Sequence, residues 1–420
     1  MVGGRILVGV FPLGNIRRIC LRIVHLSLAK FRNYHCLEFD LPPRVTVLQG
    51  GNAQGKSNCL EALYLLSTSK SPRAATEREL INWSAFKDDI PTSRLLAEVQ
   101  RSGGNVSLEI ALRASADSNR EDAALFSSLP NAAKSTNVQK RIRVNGVPRR
   151  AVDLIGQLNV VMFSAEDIDL IMGEPMLRRR YLDITNSQVD HHYLRQLQRY
   201  NKVLWQRNHL LRLIAENQAR SEELSFWDKE LVESGTYLIV QRAHTVVALN
   251  HLVQTIHRGL SDGQEELSLV YRGSVSGERT NLPLEEVDEA FDRALQISRE
   301  KEIARGMSLV GPHRDDLRFL INGVDSGVYG SRGQQRTIAL SLKLAEARFI
   351  QSKVGENPIL LLDDVLSELD AKRRHHVLHS ITGYEQVLLT ATDIDSLDAD
   401  FLAKAVLFRV DQGKIEPLSG

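Results

Sequence analysis

The chain has 420 residues, 43% of them apolar and 25% charged, an ordinary balance for a soluble globular protein of two or three domains. Its formal charge is only +1, which excludes a globally basic nucleic-acid wrapper and leaves any such contact to local patches. Three scattered cysteines, Cys20, Cys36 and Cys59, form no C-x-x-C pair or zinc-ligand spacing, and no apolar run approaches a membrane span, so a reducing, cytoplasmic setting is expected.

Residues 1–20 carry a short apolar stretch interrupted by Pro12 and followed by Arg17 and Arg18, and read as a loose tail ahead of the first strand. From Leu21 the pattern is strand-like up to Phe31, with a turn at Arg32-Asn33-Tyr34 and a second strand to Leu41. Val45 to Leu48 form a short buried strand that ends in glycines, and Leu60, Leu63 and Leu66 then mark one face of a helix. Two strands meet at Gly103–Gly104, residues 114–136 lack any period and read as a mobile excursion, and Asn145–Gly146 supplies the positive φ angles of a tight hairpin. From about 176 to 260 the chain is helical. Tyr193, Leu197, Tyr200, Leu204, Leu211 and Ile214 form a seam on arms of some 25–35 residues, about 40–50 Å long at 1.5 Å per residue. Alternating strands and helices resume near Leu309, where Ile359–Leu362 and Val387–Leu389 read as strands buried on both faces of a sheet.

The residues Gly50-Gly51-Asn52-Ala53-Gln54-Gly55-Lys56-Ser57 match G-x-x-x-x-G-K-[ST] between a predicted strand and a predicted helix. Glycines let successive backbone N–H groups turn inward on phosphate oxygens, and the helix adds its positive N-terminal end. Lys56 is expected to reach the β- and γ-phosphates of ATP and Ser57 to ligate Mg2+. Such a loop needs a carboxylate at the end of a neighbouring buried strand, and Leu362-Asp363-Asp364 supplies it. Asp363 is expected on the magnesium and Asp364 beside the attacking water. Ser331-Arg332-Gly333-Gln334 opens a good helix, with Ser331 at its N-cap, and resembles the signature of ABC ATPases, with Arg332 in place of the first core glycine. Ser367 to Asp370 fits the D-loop of that class. Heads of this kind pair head to tail, so the resemblance implies a dimer in which Ser331, Gly333, Gln334 and Asp370 face the nucleotide of a second copy.

Longer blocks narrow the resemblance to one family. Phe31-Arg32-Asn33-Tyr34, the phosphate loop and its helix, Phe163 to Pro175 with Arg178-Arg179-Arg180-Tyr181, Gly311-Pro312-His313-Arg314-Asp315-Asp316, the signature helix and Leu360 to Asp370 look like RecF DNA-repair proteins, in the order of that family. The resemblance implies an α/β fold. It comprises an ABC-type P-loop ATPase head assembled from residues 21–165 and 306–420, with an inserted, mostly helical lobe at 166–305. It implies ATP with Mg2+, DNA binding at gaps, an ATP-dependent homodimer, work with RecO and RecR, help for RecA on single strands and a part in the SOS response, with slow hydrolysis serving as a switch. It also places Arg32 at the nucleotide and Thr392 where a switch histidine usually stands, and leaves Glu166 as the candidate for the Q-loop position. Asp364 replaces the usual Glu, and its shorter arm holds water less well, consistent with slow turnover.

Arg141, Arg143, Arg149 and Arg150, with Lys140, cluster on the hairpin and are candidates for DNA phosphates or for ordinary surface and ion-paired arginines. Arg178–Arg180 either track phosphates or support the nucleotide site, and His313 reads as a hydrogen-bonded structural histidine. An SMC-like architectural ATPase would need hundreds of heptad residues between its head halves. A transporter subunit would carry its signature about a hundred residues after the phosphate loop, whereas here 281 residues separate Gly50 from Ser331.

Overall fold

The computed structural model describes residues 21–115, 138–279, 283–394 and 397–418. The N-terminal tail and almost all of the excursion at 114–136 lie outside the described residues.

Strands β1 (Arg22–Phe31) and β2 (Tyr34–Asp40) form the first hairpin, and β3 (Arg44–Gln49) leads into the phosphate loop and helix α1 (Lys56–Thr68). Strands β4 (Thr92–Arg101), β5 (Gly104–Ala114), β6 (Val138–Val144) and β7 (Val147–Arg149) complete an antiparallel sheet in the order β2-β1-β4-β5-β6-β7. Asn145 and Gly146 both adopt positive φ, 53° and 74°, so Val144 and Val147 pair directly, as the Asn-Gly dipeptide predicts.

The second sheet joins the two ends of the chain. Strand β8 (Val160–Ser164) pairs with β12 (Ile359–Asp363), which pairs with β13 (Gln386–Ala391), then β3 and β14 (Ala405–Asp411), all parallel, with β15 (Lys414–Pro417) antiparallel at the edge. Leu360 and Leu362 face one hydrophobic core while Ile359 and Leu361 face the other, which is why β12 is apolar without interruption. Helix α1 fills the space between the two large sheets, with Cys59, Leu60, Leu63 and Leu66 fully buried.

The lobe consists of α2 (Pro175–Val189), α3 (His191–Ala215), α4 (Leu224–Leu260) and α5 (Leu284–Arg305). One expectation changes here. Strand β9 (Leu267–Arg272) pairs with β10 (Asp316–Ile321), which pairs with β11 (Val324–Asp325), so a boundary at residue 305 cuts a small sheet in two. The lobe also shares its core with the head. The 37-residue α4 buries Leu249, Val253 and Ile256 in the same core that holds Val161 and Leu362 of the parallel sheet and Ile338 of α6 (Arg332–Val354). One continuous core therefore runs from the parallel sheet into the lobe. Helix α7 (Ala371–Ile381) connects β12 to β13.

The lobe holds buried charge as well as apolar surface. Arg207 is fully buried and donates to Asp228 at 2.7 Å, Glu302 at 2.7 Å and Ser308 at 2.7 Å, so no charge is left uncompensated. Arg242 likewise holds Asp183 at 2.7 Å and the Pro312 carbonyl at 2.6 Å.

Candidate nucleotide site

The chain leaves β3 at Gln49 and turns through Ala53 (φ 63°) and Gly55 (φ 120°), two positive-φ positions of the kind that curl a loop around an anion. A Cβ on Gly55 would lie 2.7 Å from the Asn33 amide nitrogen, so close approach requires glycine there. The loop's outward-facing carbonyls are taken up by other segments. Asn33 donates to the Gln54 carbonyl at 2.9 Å, Tyr34 donates its hydroxyl to that of Gly55 at 3.0 Å, and the Gly413 N–H donates to Gln54 at 3.0 Å. The Asn33-Tyr34 turn and the β14–β15 turn thus clamp the loop from both ends of the sequence.

Lys56 opens α1 and is buried. Its Nζ donates to the Gly50 carbonyl at 2.7 Å and the Gly51 carbonyl at 2.8 Å. Burial lowers its pKa, and the nearby Asp364 and Asp363 only partly restore it. Ser57 donates to Asp363 Oδ1 at 2.7 Å, and Thr390 donates to the same oxygen at 3.0 Å. The Asp364 N–H donates to Thr390 Oγ1 at 2.9 Å, and Asp364 itself sits at φ 52°. Ser57 and Asp363 are therefore one hydroxyl and one carboxylate facing a common point, the donor set that suits a magnesium keeping several of its own waters. Lysine, open helix N-terminus and this oxygen pair fit a nucleoside triphosphate with Mg2+.

No sequence pattern singles out Thr390. Its signal is register, because Thr390 pairs opposite Asp363 across parallel strands. Thr392, the expected switch residue, lies exposed just beyond β13, and it is the hydroxyl of Thr390 that reaches Asp363. Arg32, expected at the nucleotide, is committed to α1, donating to Glu61 at 2.9 and 2.7 Å and to the Glu79 carbonyl at 3.0 Å. Burial alone would raise the Glu61 carboxyl, but hydrogen bonds from Arg32 and Ser71 and the charge of Arg73 leave it below its ordinary value. Arg73, which belongs to none of the sequence motifs, donates to the Ser57 carbonyl at 2.9 Å and to Glu61 at 3.0 Å.

The turn at Ser331 is a capping box. The Ser331 hydroxyl accepts from the Gln334 N–H at 3.2 Å and the Gln334 side chain accepts from the Ser331 N–H at 2.9 Å. Gln334 also donates to Glu265 at 2.9 Å, while Ser331, Arg332 and Gly333 are exposed. Arg336, Ala339, Leu340 and Lys343 of α6 line a small cavity with Phe163 and Ser164 at the end of β8 and with Val365 and Leu369 after β12. The first turns of α6 therefore stand at the carboxyl edge of the parallel sheet, the edge that also carries Asp363 and the phosphate loop. Asp370 caps α7, accepting from the Arg373 N–H at 2.9 Å, and this hydrogen bond together with the Arg373 charge lowers its pKa. Glu166 is exposed on the turn after β8, two residues beyond Ser164, the register partner of Asp363.

The hairpin arginines do not form one patch. Arg141 and Arg143 alternate on one face of β6, whereas Arg149 pairs opposite Ile142 and so lies on the other face. The fold also brings acids to a segment that has none of its own. Arg143 lies 3.7 Å from Glu109, Arg150 lies 3.8 Å from Asp153, and Lys140 donates to Glu77 at 2.7 Å. Arg178 is buried against Asp316 at 2.7 Å, and Arg179 and Arg180 donate to the carbonyls of Asp315 at 2.9 Å and Ser71 at 3.1 Å. His313 shares a 2.6 Å hydrogen bond with Tyr200 and another at 3.1 Å with the Ser308 carbonyl, and burial lowers its pKa to about 4. It is a structural histidine at the joint between α3 and the loop before β10.

Comparisons with known proteins cover nearly the whole chain. The family model described as "RecF/RecN/SMC N terminal domain" matches residues 22–410. The DNA replication and repair protein RecF of Roseiflexus castenholzii is 43% identical over 402 residues, spanning 94% of this chain and 99% of its own. That of Chloroflexus aurantiacus is 43% identical over 398 residues, spanning 93% and 98%. A solved structure of the recombination mediator protein RecF-ATP in the RecFOR pathway superposes with a TM-score of 0.83 at 30% identity, covering 97% of this chain and 100% of that one. The Smc head domain of Pyrococcus furiosus, with a TM-score of 0.52 at 14% identity over 95% of this chain and 96% of its own, shares the ABC-type fold. By motif order, fold and near-complete coverage, the chain belongs to the RecF family.

Proposed function

We propose that this chain is an ATP-dependent DNA clamp acting in recombinational repair and replication in the cytoplasm. Its proposed setting is gap recognition, the loading of RecA on single strands and the SOS response, with RecO and RecR as partners. The observation that carries the ATP part is the joined set of Lys56 on the Gly50 and Gly51 carbonyls and Ser57 and Thr390 on Asp363. Lys56 exchanges those carbonyls for β- and γ-phosphate oxygens, and the N–H groups of the loop and of the α1 N-terminus hold the remaining negative charge. Ser57 and Asp363 would hold Mg2+, which would supply positive charge to the phosphate oxygens. Asp364, fixed by the Thr390 hydroxyl through its backbone N–H, orients the attacking water.

The exposed turn at Ser331–Gly333, with Gln334 and Asp370, would supply what the half-site of a second copy lacks, so two copies would meet head to tail across two nucleotides. ATP binding closes the dimer on double- or single-stranded DNA, and slow, DNA-stimulated hydrolysis opens it. Lys56→Met tests the site. Equilibrium binding of a fluorescent ATP analogue should weaken by at least about a hundredfold, as a buried charge-assisted interaction is removed. Unchanged affinity would refute the assignment of Gly50–Ser57.

A further inference from the structure

Helix α3 contains four arginines, one lysine, three histidines and no acidic residue in its 25 positions. Its basic residues divide by face. Arg207 points inward onto Asp228 and Glu302, and Arg199 lies to the side against Glu230 and Glu233 of α4. The outward face carries Arg195, Gln198, Lys202, Trp205, His209 and Arg212, all exposed. Spacings of three and four keep these six within an arc of about 120° at 100° per residue. Arg195, Lys202 and Arg212 have no ion-pair partner among the described residues.

Amid these cations Trp205 is 63% exposed, its ring nearly parallel to that of His209 (12°, centroids 6.1 Å apart). An indole this exposed adds nothing to the lobe core, which Leu210 and Leu211 of the same helix already fill. His209 lies beside it, one turn along the same face of α3.

We infer that the outward face of α3 is a track for single-stranded nucleic acid, with Arg195, Lys202 and Arg212 on the phosphates and Trp205 stacked on an unpaired base. Unpaired cations along a rigid helix follow a phosphate backbone, and an aromatic face among them accepts any base without reading sequence. A duplex hides its base faces and gives the indole nothing to stack on, so the tryptophan selects single strands. The inference rests on the DNA-binding reading proposed above and gives it a site away from the hairpin, whose arginines are divided between two faces, with Arg143 and Arg150 lying near carboxylates.

The test measures binding of the full chain with ATP to fluorescein-labelled oligothymidylate and, separately, to a duplex of equal length. Trp205→Ala should weaken oligothymidylate binding about tenfold and leave duplex binding within about twofold, and Trp205→Phe should recover most of the loss. The triple variant Arg195→Gln, Lys202→Gln, Arg212→Gln should lower the steepness of log affinity against log salt by about 2, since each phosphate no longer neutralised removes about 0.7 from the slope. All six side chains are exposed, so an unchanged thermal midpoint accompanies each variant. Wild-type affinity and slope in these variants would overturn the track while leaving the clamp reading in place. Equal losses for duplex and single strand on Trp205→Ala would overturn stacking, and displacement of the oligonucleotide by polyglutamate at matched charge would assign the face to an acidic protein instead. Failure of the unsubstituted protein to bind either nucleic acid would overturn the clamp reading together with the track.

Discussion

The phosphate loop Gly50–Ser57 is tied to the head by the Asn33-Tyr34 turn, the β14–β15 turn and the buried Asp363, whereas the Ser331–Gln334 turn is tied mainly to itself and to Glu265. Both stand at the carboxyl edge of one sheet. The first must present amides to a small, highly charged ligand, and its precision comes from carbonyls fixed on every side. The second is left open, which suits the proposed pairing with a second copy. In that proposal the ligand half-site is held rigid, whereas the partner half-site needs only a well-made helix start.

Substitutions at one glycine in each region should test this contrast most clearly. At Gly55, alanine would meet Asn33 at 2.7 Å with φ at 120°, and Gly55→Ala should cost about 3 kcal/mol in urea unfolding and abolish ATP binding. Retained ATP binding at full stability would show that the loop is less constrained than its hydrogen bonds imply. Thr390→Val should have a smaller effect. It strands the Asp364 N–H and removes one donor from Asp363, lowering stability by about 1–2 kcal/mol and raising the magnesium concentration needed for ATP binding. Gly333→Ala should have the smallest effect on stability. The nearest atom to an added Cβ is Ser331 Oγ at 4.0 Å, so the monomer should become up to about 0.5 kcal/mol more stable by thermal unfolding while ATP-driven association weakens. A destabilised monomer would mean the turn is packed after all.

The sequence makes the first region readable because its chemistry is local. Eight consecutive residues form the loop, and the Asn-Gly hairpin and the apolar β12 are equally local signals. What escapes a reading along the chain is long-range. Thr390 reaches Asp363 only because β13 lies beside β12, and Arg32 turns to Glu61 because α1 packs behind the first hairpin. The hairpin arginines resemble one patch because the chain orders them in a row, while the pleat sends Arg149 to the opposite face from Arg141 and Arg143. The lobe boundary fails for a related reason, since β9 finds its partner β10 on the far side of α5.

Sedimentation velocity at micromolar protein, with a slowly hydrolysed ATP analogue, Mg2+ and DNA, tests the two half-sites together. The unsubstituted chain should sediment as a dimer only with nucleotide, and Ser331→Arg should remain monomeric while still binding the analogue. A monomer under all conditions, or a Ser331→Arg dimer indistinguishable from the unsubstituted one, would contradict the account.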